Sequence, residues 1–141
     1  MKKKTFKDLL TIVFISHKSQ NIIKKKISFI PSNIKIIIAD NSNNTAAKKK
    51  IYNRKNLKIL LIKNNGYGAS INIASRYVKT KYFLVLNPDV EVSFLSIKKL
   101  TDISSGIKKK FLCTGPRFLN VSQKSHRQSD ANLKIAKINA I

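Results

Sequence analysis

Tyr82-Phe83-Leu84-Val85-Leu86 is an apolar run that stops abruptly at Asn87-Pro88-Asp89, and no other stretch restricts the fold so firmly. Its length suits a strand, and its lack of alternation suits burial on both faces. Such strands belong to parallel sheets, whose ligands sit just outside the carboxyl ends of the strands. Asp89 therefore falls where a metal-bound ligand is expected. Upstream, Ile34-Lys35-Ile36-Ile37-Ile38-Ala39-Asp40 is a second apolar strand ending in an acid.

Strands and helices alternate along the rest of the chain. Apolar runs predict strands over 9–15, 34–39, 57–62, 82–86 and 111–114. Helical spacing predicts a helix from Asn21 to Ile30, stopped by Pro31, and a short one over 45–53. A third is expected from about Ala69 to Val78, after the Gly66-Tyr67-Gly68 loop. A fourth runs from a Ser93 cap to about Ile103, with Phe94, Ile97, Leu100 and Ile103 in register and Gly106 behind it. This order gives an α/β class with a mostly parallel sheet, right-handed crossovers and helices on its faces. No repeat or linker interrupts it, so one domain over 1–141 is expected, large enough to bury roughly 70% of its unfolded surface.

Lys+Arg 29 against Asp+Glu 6 gives a net charge of +23. Such a charge invites nucleic acid or an anionic membrane as partner. The lysine triplets (2–4, 24–26, 48–50 and 108–110) are dispersed, however, among many Ile and Asn residues, as a strongly AT-biased coding sequence would leave them. No aromatic-interleaved basic box, zinc-ligand spacing or helix-turn-helix pattern accompanies them, which disfavours nucleic acid. Attraction to an anionic membrane or a phosphate-bearing substrate fits either origin. The single cysteine, Cys113, excludes an internal disulfide and reads as a buried strand residue. Asp8 and Thr11 break up any signal-peptide core, and no apolar run nears the roughly 20 residues that span a bilayer. The expected place is the cytoplasm, with the inner face of the membrane as a peripheral site.

Aligned in a parallel sheet, the strand ends gather on one edge Ser16-His17, Asp40-Asn41, Asn64-Asn65-Gly66 and Asn87-Pro88-Asp89. The Gly66-Tyr67-Gly68 loop lacks the third glycine of a dinucleotide fingerprint and the Gly-Lys-Ser/Thr of a P-loop. Each piece also has a plain structural reading. Asp40-Asn41-Ser42 suits a helix-capping turn, Asn87-Pro88-Asp89 a tight turn, His17 a surface histidine, and Arg117 a cover for a sheet edge.

Taken in order, these pieces form a pattern: strand-Ser16-His17, Ile-Ile-Ala-Asp40-Asn41-Ser42, Asn64-Asn65-Gly66-Tyr67-Gly68-Ala69-Ser70-Ile71-Asn72, Leu86-Asn87-Pro88-Asp89-Val90 and Thr114-Gly115-Pro116-Arg117. The pattern resembles the inverting family-two glycosyltransferases of the GT-A fold, particularly the rhamnosyltransferase-like branch, over about residues 9–120. Ser125-His126-Arg127-Gln128-Ser129 is similar to a downstream Ser-x-Arg stretch, and residues 121–141 are a weakly determined tail. The resemblance implies a nucleotide-diphosphate sugar as donor and a glycan or lipid-linked acceptor, as in polysaccharide biosynthesis. By the same resemblance Asp89 binds a divalent metal, Mg or Mn, and Asn87 faces the ribose. Asp40 contacts the base or ribose, Ser16 packs beside the base, and Asn65, Gly66 and Asn72 flank the donor.

One departure stands out. An inverting transferase needs a general base, usually a carboxylate, and beyond the Asn87–Glu91 segment only Asp102 and Asp130 remain. Neither lies in a matching motif. The resemblance thus implies the donor-binding half alone: a truncated reading frame, or one completed by a complementary chain or by self-association. The alternatives are a non-catalytic nucleotide-sugar-binding fragment and a basic module for nucleic acid or membrane.

Overall fold

A computed structural model describes residues 6–42 and 54–107. The chain divides into two compact units, the first ending at Phe94 and the second beginning at Leu95. The first opens on a single helical turn, α1 (Phe6–Leu9), followed by β1 (Leu10–Ser16), α2 (Gln20–Ser28), β2 (Lys35–Asp40), β3 (Leu57–Leu61), α3 (Tyr67–Ser75) and β4 (Tyr82–Val85). Helix α4 (Phe94–Gly106) starts at the boundary and belongs otherwise to the second unit. The helix predicted over 45–53 and the strand over 111–114 lie outside the described residues, as do Cys113, Arg117, the 125–129 stretch and Asp130.

The described strands form one parallel sheet in the order β3-β2-β1-β4. Register runs from Thr11↔Lys35 to Ser16↔Asp40, from Ile36↔Leu57 to Asp40↔Leu61, and from Leu10↔Tyr82 to Val13↔Val85. Ser16, Asp40 and Leu61 therefore stand in one row at the carboxyl edge. The chain steps outward from β1 through β2 to β3, then returns to the far side of β1. That reversal makes the β1/β4 boundary the topological switch point of the sheet.

The reversal also decides which face each helix covers, because right-handed crossovers in opposite directions land on opposite faces. Helix α3 packs through Ile71 and Ala74, with Val78 just beyond its end, on Val13, Ile15, Ile37, Ala39 and Leu60. The other face, which α2 crosses, presents Ile12, Phe14, Ile36 and Ile38, all enclosed. Each such side chain stabilises the fold by roughly 1.5–3 kcal/mol. β1 and β2 are buried along nearly their whole length, as continuous apolar runs in the middle of a parallel sheet should be.

Four expectations need correction. The run Tyr82–Leu86 forms a strand, but not one buried on both faces: Phe83 is 42% exposed. Among the described residues β4 pairs with β1 alone, so only one neighbour shields it. Helix α2 ends at Ser28, two residues before the expected Ile30. Helix α3 begins at Tyr67, two residues before the expected Ala69, and ends at Ser75. Gly66 adopts a φ of 94°, which a side chain would resist, and its carbonyl accepts from both the backbone and the hydroxyl of Ser70. Tyr67 and Gly68 are thereby drawn from the loop into the first turn. Finally, α4 buries Ile97, Thr101 and Ser104 rather than the apolar row alone. Its hydroxyls fold back onto the helix, Thr101 Oγ1 to Ile97 O at 2.9 Å and Ser104 Oγ to Leu100 O at 2.8 Å. A satisfied hydroxyl is cheap to bury.

Candidate functional site

Three strand ends are tied together by side chains. Asp40 closes β2 and is 5% exposed, beside the fully buried Ser16 that closes β1. Asp40 Oδ2 accepts from Ser16 Oγ at 3.1 Å and from Gln20 Nε2 at 3.0 Å. Asp40 Oδ1 accepts from the backbone N–H of Ser42 at 2.8 Å and from the Ser42 hydroxyl. The Asp40-Asn41-Ser42 segment is thus a turn closed on its own carboxylate, while the helix such a turn would cap lies outside the described residues. A buried carboxylate is tolerated only with such an array of donors.

A second chain of bonds runs along the same edge. His17 Nδ1 lies 2.9 Å from Asn41 Oδ1, and Asn41 Nδ2 donates to Asn64 Oδ1 at 3.2 Å. Asn64 Oδ1 also accepts from the backbone N–H of Gly66 at 3.4 Å. With the Asn41 oxygen turned to it, Nδ1 of His17 is the donor in that contact. The turn out of β1 passes through Lys18 at φ 56° before α2 starts, a left-handed conformation that costs a side-chain-bearing residue about 1–2 kcal/mol.

Across the switch point, Leu86 N–H donates to Val13 O at 2.9 Å and carries the pairing one residue past β4. The chain then turns through Asn87-Pro88-Asp89, closed by Val90 N–H to Asn87 O at 3.2 Å. The tight-turn reading is therefore correct as geometry. It also leaves Asp89 exposed just past the carboxyl end of β4. The Tyr67 hydroxyl, at the first turn of α3, donates to Asn87 Oδ1. Burial and then the nearby Asp89 carboxylate push the Tyr67 phenol above its ordinary value, keeping it a protonated donor.

The sequence-predicted residues thus fall into two groups: Ser16 with Asp40, and Asn87 with Asp89. Gly66 joins the first through Asn64 and precedes Tyr67, which touches the second. Asn65 and Asn72 are exposed, with no side-chain bond to either group among the described residues. Asp102 sits exposed on α4, 3.8 Å from Lys98. Gln20 was missed by sequence reading, and Ser42, Asn64 and Tyr67 stood in the motifs without a role assigned to them. The Asn64–Asn65 doublet held the only usable hint, since one of two adjacent amides would face inward.

A divalent cation can be tested against these groups. Among the described residues no three His, Cys, Asp or Glu side chains gather to form a cage. One exposed carboxylate fits only a cation that takes its remaining ligands from a diphosphate and water, which is how magnesium is commonly held. Asp89 is suited to that mode. Among the described residues no helix is long and apolar enough to cross a membrane.

A parallel sheet flanked by helices, with polar residues along its carboxyl edge, defines an α/β protein of the GT-A-like kind. The chain belongs to glycosyl transferase family 2, whose family model matches residues 11–133, further than the pattern traced to about residue 120. Among solved structures it is similar to the crystal structure of S. aureus TarS 1-349, with a TM-score of 0.55 and 17% identity. That likeness is one of fold. It covers 69% of this chain and 32% of the other, so the chain spans about a third of that structure. No curated protein matches the chain.

Proposed function

We propose that the crevice between β1 and β4 binds a nucleotide-diphosphate sugar, as the donor half of an inverting sugar transfer to a glycan or lipid-linked acceptor. The observation that carries this reading is the exposed Asn87-Pro88-Asp89 turn at the switch point, in a chain of glycosyl transferase family 2. Members of that family commonly use a divalent metal, and here Asp89 would hold it. When bound, magnesium or manganese neutralises charge on the departing diphosphate. The rest is done by the chain itself. Asn87, with its carbonyl occupied by Tyr67, turns its amide N–H groups toward a ribose. Asp40 and Ser16 fix the wall on which the base rests. The N-terminus of α3 presents backbone N–H groups to the same edge, where negative charge is favoured.

Calorimetry with uridine or thymidine diphosphate tests this. Binding should require magnesium or manganese, and Asp89→Ala should weaken metal-dependent binding by about 10- to 100-fold, the loss of one charge-assisted contact. Equal affinity with and without metal would overturn the assignment of Asp89.

A further inference from the structure

With Ile23 and Ile27 of α2 turned to the core, helical geometry places Ile22, Lys25 and Phe29 on the opposite, outward side. Phe29 is 79% exposed and Ile22 48% exposed, a large apolar area to leave in water. Lys26 Nζ reaches across to Val90 O at 2.6 Å and fixes the segment after Asp89 beside the helix. That segment adds Val90 and Val92, both also exposed, with the exposed Glu91 between them. Lysines surround the apolar side chains. From His17 to Ala39 the chain carries Lys18, Lys24, Lys25, Lys26 and Lys35 and no acidic residue.

We propose that this outward face of α2 docks on an anionic phospholipid surface. Apolar side chains among lysines are the combination that settles into the headgroup boundary, the first by burial and the second by charge. A second copy of the chain fits less well, because a net charge of +23 opposes bringing two Lys24–Lys26 runs together. Nucleic acid fits less well too, since of the exposed apolar side chains only Phe29 offers its bases a stacking ring, while Ile22, Val90 and Val92 offer neither ring nor hydrogen bond. Docking here would hold the Asn87–Asp89 turn close to a lipid-borne acceptor. That consequence rests on the proposed function; the docking itself does not.

Sedimentation of the full chain with vesicles is the test, using equal parts phosphatidylglycerol and phosphatidylcholine against phosphatidylcholine alone. Binding should need the anionic lipid and weaken with salt. Phe29→Ser should reduce it about tenfold through lost apolar burial, and Lys24→Glu with Lys25→Glu by about fivefold or more per charge. Unchanged thermal melts would show that these exposed positions do not disturb the fold. Metal-dependent nucleotide binding should also stay intact, so that loss of either property is separable from loss of the other. Equal sedimentation of wild type and Phe29→Ser overturns the proposal. So does binding to duplex DNA or self-association without vesicle binding.

Discussion

Tyr67 links the loop after β3 to the turn after β4, because it starts α3 and its hydroxyl donates to the Asn87 amide oxygen. Tyr67→Phe keeps the ring and removes the donor, freeing the Asn87 amide to turn over. Nucleotide affinity should then fall about 2- to 10-fold, the worth of one neutral hydrogen bond. The same change carries a pH signature. The phenol holds its proton more tightly in the folded chain than at its ordinary value of 10.0. Its contribution to stability is therefore complete below pH 10.0 and is lost as pH rises through the higher folded-state value. Denaturant midpoints on either side of that window should show a smaller alkaline loss in Tyr67→Phe than in wild type. An identical loss in both would remove Tyr67 as its source. Asp40, Asn87 and Asp89 were legible because each ends an apolar run at an edge where ligands collect. Tyr67, Gln20 and Ser42 were not. Their partners depend on where helices begin and how strands register, and a lone tyrosine between glycines reveals neither.

At the scale of elements, Arg54 shows how a loop residue can hold a helix end. Its guanidinium donates to Ile27 O at 3.0 Å and Ile30 O at 2.9 Å through Nη1, and to Pro31 O through Nη2. These carbonyls close α2 and the turn after it, where a cation also complements the helix dipole. Partial burial lowers the guanidinium below its ordinary value. Arg54→Ala should destabilise the fold by about 2–3 kcal/mol, since several carbonyls lose a charged donor. Arg54→Lys should recover only part of this, because a single ammonium cannot fork. Urea melts of the three proteins decide the matter, and equal stability would reduce Arg54 to a surface contact. The strands were the most legible elements, since burial in a parallel sheet leaves a continuous apolar signature. Helix α4 was harder. Thr101 and Ser104 are buried through bonds to their own helix, and no hydropathy pattern marks a hydroxyl that will fold back.

For the whole molecule, the charge of +23 has opposite consequences according to what the lysines do. If they were locked into ion pairs, added salt would weaken the fold. Only 6 acids stand against 29 basic residues, so most lysines have no carboxylate to meet. One acid, Asp40, is already occupied by hydroxyl and amide donors, and the Lys98–Asp102 pair is exposed on both sides. A pair of that kind contributes about 0–1 kcal/mol. Mutual repulsion among the lysines outweighs it and acts against the compact state. Sodium chloride screens that repulsion over a Debye length of about 8 Å at physiological strength. The melting temperature should therefore rise between low and physiological salt and flatten above it. Over the same range, binding to duplex DNA should stay sequence-independent and weaken steeply, because counterion release drives it. A melting temperature that falls with salt would mean that the lysines are paired in the fold. Nanomolar, sequence-selective DNA binding at physiological salt would mean that the charge serves nucleic acid.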